Sequence, residues 1–358
     1  MAGKRFALLC LLFVMATNMG CAGDGTSAAF DAFRRASADA ALETEGSAQL
    51  FAMDTVMSIT ANGEDAQVAV DEAVASIYEL EDLFAVTNRG SDIFSLNTAS
   101  SLAVSAQTID IITRAIEISD MTGGLFNIAM YPIIREWGFT TGEYKIPDTD
   151  TLKALLRNID YNEISLEGRD ITLPKDMEID VGGLAKGYAG DVAGRVLEEK
   201  GITSGLINLG GDVQVIGTKP NGADWRVAIQ NPEGEGYICV LSVSDTTVMT
   251  SGSYERYFTG NDGNDYHHIM DPRTGAPANS GLISVTVVAD SGCTGDALAT
   301  ALFIMGMDKA TEFWRDRGGF EAIFMTDTGD ISITEGLIDS FELSKGFQDV
   351  QVNTIGAR

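Results

Sequence analysis

The chain is short of cations, of histidine and of long apolar runs, and each shortage removes a class of function. Lys and Arg together number 24 against 52 Asp and Glu, a formal charge of −28 over 358 residues. Sequence-independent binding of nucleic acid needs clustered cations against the phosphates, so that class is excluded. A phosphate-bearing ligand would have to be held against this field by a metal, by backbone N–H groups or by a few placed cations. The only two histidines are adjacent, His267 and His268. Multi-histidine metal sites and dispersed Ser-His-Asp arrangements therefore have no material, and any imidazole chemistry belongs to that segment. The apolar run from Phe6 to Ala16 falls short of the roughly 20 residues that span a bilayer. Cysteine is equally sparse: Cys10 lies in that run and Cys21 follows it, leaving Cys239 and Cys293 in the body. Neither pair has metal-ligand spacing, and the body pair reads as one disulfide or as two buried thiols.

What remains is the composition of a folding chain, with 45% hydrophobic and 21% charged residues, enough apolar surface to bury a core. Lys4 and Arg5 ahead of the apolar run, and small Gly20 before Cys21, predict a signal peptide over residues 1–20. Gly20-Cys21 also resembles a bacterial lipobox, which makes Cys21 the lipidation candidate, although Asn18 stands where an aliphatic residue is usual. Removing residues 1–20 takes Lys4 and Arg5 away, so the charge goes from −28 to −30. Residues 21–48, rich in Ala, Gly, Ser, Asp and Glu, predict a flexible tether to a single body at 49–358. Export, with the body lipid-anchored outside the cytoplasmic membrane or in the periplasm, is the expectation.

Strand-like and helix-like segments alternate in the body without a fixed period. A strand is expected over Leu50 to Thr60, then helices over Ala66 to Phe84 and Thr108 to Met121. A Gly/Pro-rich stretch, a short helix from Thr151 to Arg157 and strands near Ile164 and Ile171 follow. After a helix from Leu184 to Lys200 come closely spaced strands at Gly205 to Leu209, Val213 to Ile216, Trp225 to Gln230, Tyr237 to Val243 and Thr247 to Met249. A strand over Leu282 to Ala289, helices over Thr294 to Met305 and Lys309 to Arg317, and two strands joined at Thr328-Gly329-Asp330 close the chain. The class is α+β, with mostly antiparallel sheets and packed helices in one integrated unit.

Four local signals bear on chemistry. Asp180-Val181-Gly182-Gly183-Leu184-Ala185-Lys186-Gly187-Tyr188 opens a helix with paired glycines and a cation, a place that suits a pyrophosphate. It lacks the P-loop's Gly-Lys-Ser/Thr and the dinucleotide glycine spacing, and a plain turn capped by Asp180 explains it as well. Asn208-Leu209-Gly210-Gly211-Asp212, between two strands, reads as a hairpin or bulge. Tyr266-His267-His268-Ile269-Met270-Asp271-Pro272-Arg273-Thr274-Gly275 sets the imidazoles beside a rigid turn, where one could accept a hydroxyl proton. Asp296 and Thr300, four apart on a helix, share a face and offer the oxygens a hard cation such as Mg²⁺ takes. Asp296 as a dipole-favoured residue of the first turn is the plainer alternative.

In this order the motifs resemble the family of FAD:protein FMN transferases, the ApbE-type flavin transferases. The resemblance runs from about Phe51 to Phe347 and includes Met53-Asp54-Thr55, Ser91 to Asn97, Phe126 to Phe139 and Thr250-Ser251-Gly252 beside the motifs above. It implies an ApbE-like fold and an enzyme that uses Mg²⁺ to transfer FMN from its substrate FAD to a Thr or Ser hydroxyl of an exported acceptor flavoprotein, releasing AMP. By position it implies Asp296 and Thr300 as side-chain ligands of Mg²⁺, with the carbonyls of Ala185 and Ala299. His268 would be the base, chosen over His267 by alignment to the turn. Met53, Leu125, Phe126, Asn127, Asp180, Gly182, Gly183, Lys186, Ser251 and Ile269 would lie against FAD. Many members carry Asp where this chain has Asn127, and an aromatic near the position of Thr87. Two other functions suit the same residues, an FAD pyrophosphatase giving free FMN and AMP, and a flavin-binding lipoprotein without chemistry.

Overall fold

A computed structural model describes residues 45–357; the expected leader, the Cys21 lipid site and most of the expected tether lie outside them. The tether ends earlier than 48, because Glu45–Ala52 is already a strand. It pairs antiparallel with Thr55–Asn62, in register from Glu45 opposite Asn62 to Ala52 opposite Thr55. The single strand expected over Leu50 to Thr60 is thus a hairpin, turned by Met53 and Asp54 with φ of 49° and 61°. Both central residues take the left-handed region, as a tight hairpin demands, but Met-Asp carries none of the Asn-Gly signal that announces such a turn.

This hairpin forms one end of a nine-stranded sheet. Its order runs Glu45–Ala52, Thr55–Asn62, Ser204–Leu209, Asp212–Ile216, Thr246–Gly252, Leu282–Ala289, Glu321–Thr326, Ile331–Thr334 and Val352–Ile355. Neighbours are antiparallel except the last pair, which is parallel. The α+β expectation holds, and the added strand Val352–Ile355 is one the sequence pattern does not announce. A three-stranded sheet of Phe341–Leu343, Tyr237–Val243 and Trp225–Gln230 completes the strand-rich part.

Side-chain alternation gives the large sheet two apolar faces. Met57, Ile59, Ile207 and Leu209 on one face, with Val285 and Phe324 further along it, pack under helices. Val213, Val215, Val248, Ile323 and Met325 on the other pack against Val227, Ile229, Ile238 and Leu241 of the small sheet. The helices Ala66–Phe84, Gly182–Glu199 and Gly292–Met305 cover the first face. Ala66–Phe84 buries Val70, Ala73, Ile77, Leu80 and Phe84, the three-four spacing of an apolar stripe. Gly182–Glu199 starts two residues ahead of the first apolar residue on which its start was expected, so Gly182 and Gly183 form its first turn. Cys239 and Cys293 are buried and free, and they belong to different apolar clusters; two thiols, not a bridge, is the outcome. Among the described residues no helix is long and apolar enough to cross a membrane.

Candidate active site

The floor of the site is a helix crossing that only glycine permits. A Cβ on Gly187 would overlap the Gly292 carbonyl, and one on Gly292 would overlap Gly187. With no side chain between them, the backbones of Gly182–Glu199 and Gly292–Met305 touch. Asp191 of the first helix fastens the start of the second: its carboxylate accepts from the Ser291 hydroxyl at 2.8 Å, from Gly292 N–H at 2.6 Å and from Cys293 N–H at 3.1 Å. A carboxylate on those orphan donors is favoured by the helix dipole. One turn further, buried Asp296 accepts the Gly187 N–H at 3.0 Å. Its place is therefore fixed by the crossing, which a residue merely favoured by the dipole would not need.

Lys186 rises from the same floor between two carboxylates, its Nζ 3.1 Å from Asp212 and 3.5 Å from Asp296. Burial alone would lower its pKa, but Asp296, Asp212 and Glu255 together hold it above the ordinary lysine value. The Asp296 pKa is raised too, to about 6, its burial outweighing the pull of Lys186. Glu255 is raised as well, by its surroundings first and by repulsion from Asp212 second, although its exposure to cavity water weakens that effect. Three carboxylates face one ammonium, so a pyrophosphate brought here meets net negative charge unless a cation comes with it.

The donors present fit such a cation. Thr300 Oγ1 stands 3.1 Å from the Ser251 hydroxyl, and Asp296, Thr300, Ser251 and Ala185 line the same cavity. That is an oxygen set of the kind Mg²⁺ takes with waters and substrate phosphates, rather than a cage of protein ligands. Among the described residues no group of three or more His, Cys, Asp or Glu is placed to hold a metal. Ala299 lies within the apolar cluster under the sheet and is not among the residues that line the cavity.

The two histidines part company. His267 spends both ring nitrogens on backbone, Nε2 at 3.0 Å from the Ala278 carbonyl and Nδ1 accepting the Ile269 N–H at 3.3 Å, with its ring edge-on to Phe303. His268 lines the cavity, half-buried. Its Nδ1 is 3.2 Å from the Arg256 carbonyl. A carbonyl only accepts, so Nδ1 carries the proton and Nε2 keeps its lone pair for a ligand. Burial first, then the Arg256 cation, depress the ring's pKa to about 3. The turn that follows is stiff: Asp271 accepts from Arg273 at 2.8 Å, Gly275 N–H donates to the Asp271 carbonyl, and Trp137 Nε1 donates to Gly275 O at 2.8 Å.

These residues stand around one cavity of about 1410 Å³, above the ~300–1,000 Å³ usual for drug-sized ligands. Met53 at the hairpin tip, tied by its N–H to Glu81 at 2.6 Å, is on its wall, as are Leu125, Phe126, Asn127, Asp180, Gly182, Gly183, Lys186, Ser251 and Ile269. Asp180 accepts the Gly182 N–H at 2.8 Å, closing a turn just ahead of the helix rather than capping it, since the N-cap is Val181, while its own pKa is raised by burial. Gly183 faces the Phe126 ring closely, since a Cβ would come within 3.1 Å of it. Asn127 is committed to the frame, donating to Ile159 O at 2.9 Å and accepting from Ala129 N–H at 2.8 Å. The Asn208–Asp212 hairpin is on the wall too, with Gly210 and Gly211 at φ of 80° and 112°.

Sequence reasoning missed Asp212 as a site residue, because its motif reads fully as a hairpin. It also missed Glu255 and Arg256, which lie three and four residues after Gly252 and carry no spacing of their own. Arg256 also donates to the Phe139 carbonyl at 2.9 Å, joining the two segments that hold His268.

A protein-family model described as the ApbE family matches residues 53–324. The chain is similar to a FAD:protein FMN transferase of Treponema pallidum, 30% identical over 77% of this chain and 82% of that one. A FAD:protein FMN transferase of Klebsiella pneumoniae is 32% identical over 74% and 85% respectively. Among solved structures, the ApbE protein of Thermotoga maritima superimposes with a TM-score of 0.75 at 27% identity, covering 85% of this chain and 98% of that one. The flavin transferase ApbE of Vibrio cholerae gives 0.71 at 25% identity, covering 86% and 100%.

Proposed function

This chain belongs to the ApbE family, and from that premise we propose that it transfers the FMN half of FAD to a Thr or Ser hydroxyl of an exported acceptor protein, with Mg²⁺ as cofactor. It is an enzyme of flavin transfer. In the proposed reaction the acceptor oxygen forms a bond to the FMN phosphorus, the pyrophosphate P–O bond breaks, and AMP leaves with that oxygen. Asp296 and Thr300, with the carbonyl of Ala185, would hold Mg²⁺, which would supply the positive charge a pyrophosphate needs here and stabilise the charge leaving on AMP, whereas Ala299, buried away from the cavity, is left out of the set. Lys186 keeps Asp212 and Asp296 in position, and the helix start at Gly182 and Gly183 brings backbone N–H groups near the phosphates. Met53, Leu125, Phe126, Asn127, Asp180, Ser251 and Ile269 would enclose FAD. His268 Nε2 takes the hydroxyl proton as the bond forms, which requires the neutral ring that burial and Arg256 maintain.

The observation that carries this reading is the placement of an unprotonated His268 Nε2 in the same cavity as the Asp296–Lys186–Asp212 cluster. Incubation with FAD, Mg²⁺ and a candidate acceptor, followed by mass spectrometry, tests it. A gain of one FMN on the acceptor, lost with chelator, is expected. Free FMN alone would identify a pyrophosphatase, and intact FAD a binding protein. Export with a lipid on Cys21 belongs to the same proposal; a fatty-acid analogue should label the wild type and not Cys21→Ser, and an unlabelled wild type would leave a secreted protein.

A further inference from the structure

We infer that the acceptor polypeptide docks by adding an extended strand to the free edge of Trp225–Gln230, an inference that rests on the transferase reading and names how its second substrate is held. Trp225–Gln230 pairs on one side with Tyr237–Val243 and is the last strand of its sheet. Its side chains alternate: Val227 and Ile229 are buried, whereas Arg226, Ala228 and Gln230 are exposed. Yet all five consecutive residues from Arg226 to Gln230 line the large cavity. A cavity lying on one face of a strand would meet every second residue. Contact with five in a row places it along the edge, where backbone N–H and C=O groups lack strand partners.

The path continues outward. Arg226, Gly236 and Tyr237 border both the large cavity and a second hollow of about 560 Å³ that Lys345 and Phe347 close. Tyr237 is 48% exposed. The second hollow spreads from there over Val240 and Glu342 of the two neighbouring strands, so the free edge itself meets the large cavity that holds His268 and Asp296. FAD brings a ring system and phosphates, but no regular row of donors and acceptors. An extended polypeptide brings that row, repeating at about 3.4 Å per residue, and strand addition is a recurrent way of holding such a segment. The second hollow is close to charge-balanced, with Arg226 paired to Glu342 at 2.7 Å and both Lys345 and Glu235 in its lining. On a chain of −28, that spares an acidic partner from repulsion there.

The test uses the whole protein with FAD, Mg²⁺ and a library of peptides about ten residues long, each with one central Thr. Flavinylated peptides are found by mass spectrometry and the best is remade with single N-methyl groups at successive amides. Strand addition predicts that transfer falls about tenfold at alternate amides, the effect of one lost backbone hydrogen bond, and hardly changes at the intervening ones. In parallel, the same peptide with Thr replaced by Val should slow amide hydrogen exchange in residues 225–230 about tenfold beyond the effect of FAD alone. Loss without a period of two, tolerance of N-methylation throughout, or protection of 225–230 complete with FAD alone would each overturn the inference while leaving transfer intact. Release of free FMN with no peptide modified would instead overturn the transferase reading and this inference with it.

Discussion

The crossing at Gly187 and the chamber over Lys186 are one residue apart and opposite in character. At the crossing nothing but backbone fits, and Asp191 secures the neighbouring helix start through the Gly292 and Cys293 N–H groups. In the chamber, carboxylates outnumber the ammonium they surround, one imidazole nitrogen has no hydrogen-bond partner among the described residues, and there is space for a large ligand. The closed region makes the open one affordable: charges that repel each other stay at their separations only if the backbone beneath them cannot yield. Substitutions on either side should separate accordingly, into losses of chemistry and losses of stability.

The largest effect is expected at Asp296, on the boundary. Asp296→Ala should lower FMN transfer by more than about three orders of magnitude and weaken FAD binding, since the proposed anionic ligand of Mg²⁺ would be gone. Thr300→Val should be milder. A single-turnover assay across Mg²⁺ concentrations measures both, and full activity of Asp296→Ala at low Mg²⁺ would break the assignment. Next comes His268→Ala, purely on the chamber side. Transfer should fall by roughly two to four orders of magnitude with FAD affinity nearly unchanged. His267→Ala should cost little activity but about 1 kcal/mol of stability, through its contacts with Ala278 and Ile269. If His267→Ala is the inactive variant, the roles are reversed; equal damage to affinity and rate would recast His268 as a binding residue.

Gly187→Ala probes the closed side. The added methyl must push the helices apart against Gly292, for a loss of about 1–3 kcal/mol by denaturant titration. Gly183→Ala, which meets only the Phe126 ring at 3.1 Å, should change FAD affinity more than unfolding. A tolerated Gly187→Ala would mean that the floor is not rigid. The smallest effect is a null one in pH. Because the His268 pKa is depressed to about 3, the ring stays neutral down through pH 6, and its protonation removes activity only in stronger acid. The free-enzyme profile of kcat/KM should therefore show no histidine inflection near the ordinary value of about 6.5. An inflection there that vanishes in His268→Ala would contradict the geometry.

Helices and buried strands were legible because periodicity reports burial directly: Ala66–Phe84 and Leu282–Ala289 lie where the pattern puts them. The Met53-Asp54 hairpin was not, since its turn uses residues that rarely take positive φ and no local signal replaces glycine. In the site, the paired glycines and the two histidines marked their segments, and the resemblance favoured His268 over His267, but no physical reason for that choice showed in the residues. What separates His267 from His268 is the carbonyl each one meets, from Ala278 or Arg256, and such long-range neighbours leave no trace in spacing. The same holds for Asp212, a hairpin residue by sequence and an ion-pair partner of Lys186 in space.

The contact of Gly187 N–H with Asp296 joins positions 109 residues apart, and Asp191 reaches 101 residues forward to Gly292. Contacts of such separation close only after a long loop has been gathered, which slows folding relative to local structure. During synthesis the Gly182–Glu199 helix is therefore made long before the helix it crosses, with Gly187 still lacking Gly292. No part of the chamber can take up a dinucleotide until the chain through Met305 has emerged and docked. Assembly of this catalyst is a late, all-or-none event, and a nascent or truncated chain ending before that helix has no partial activity to offer.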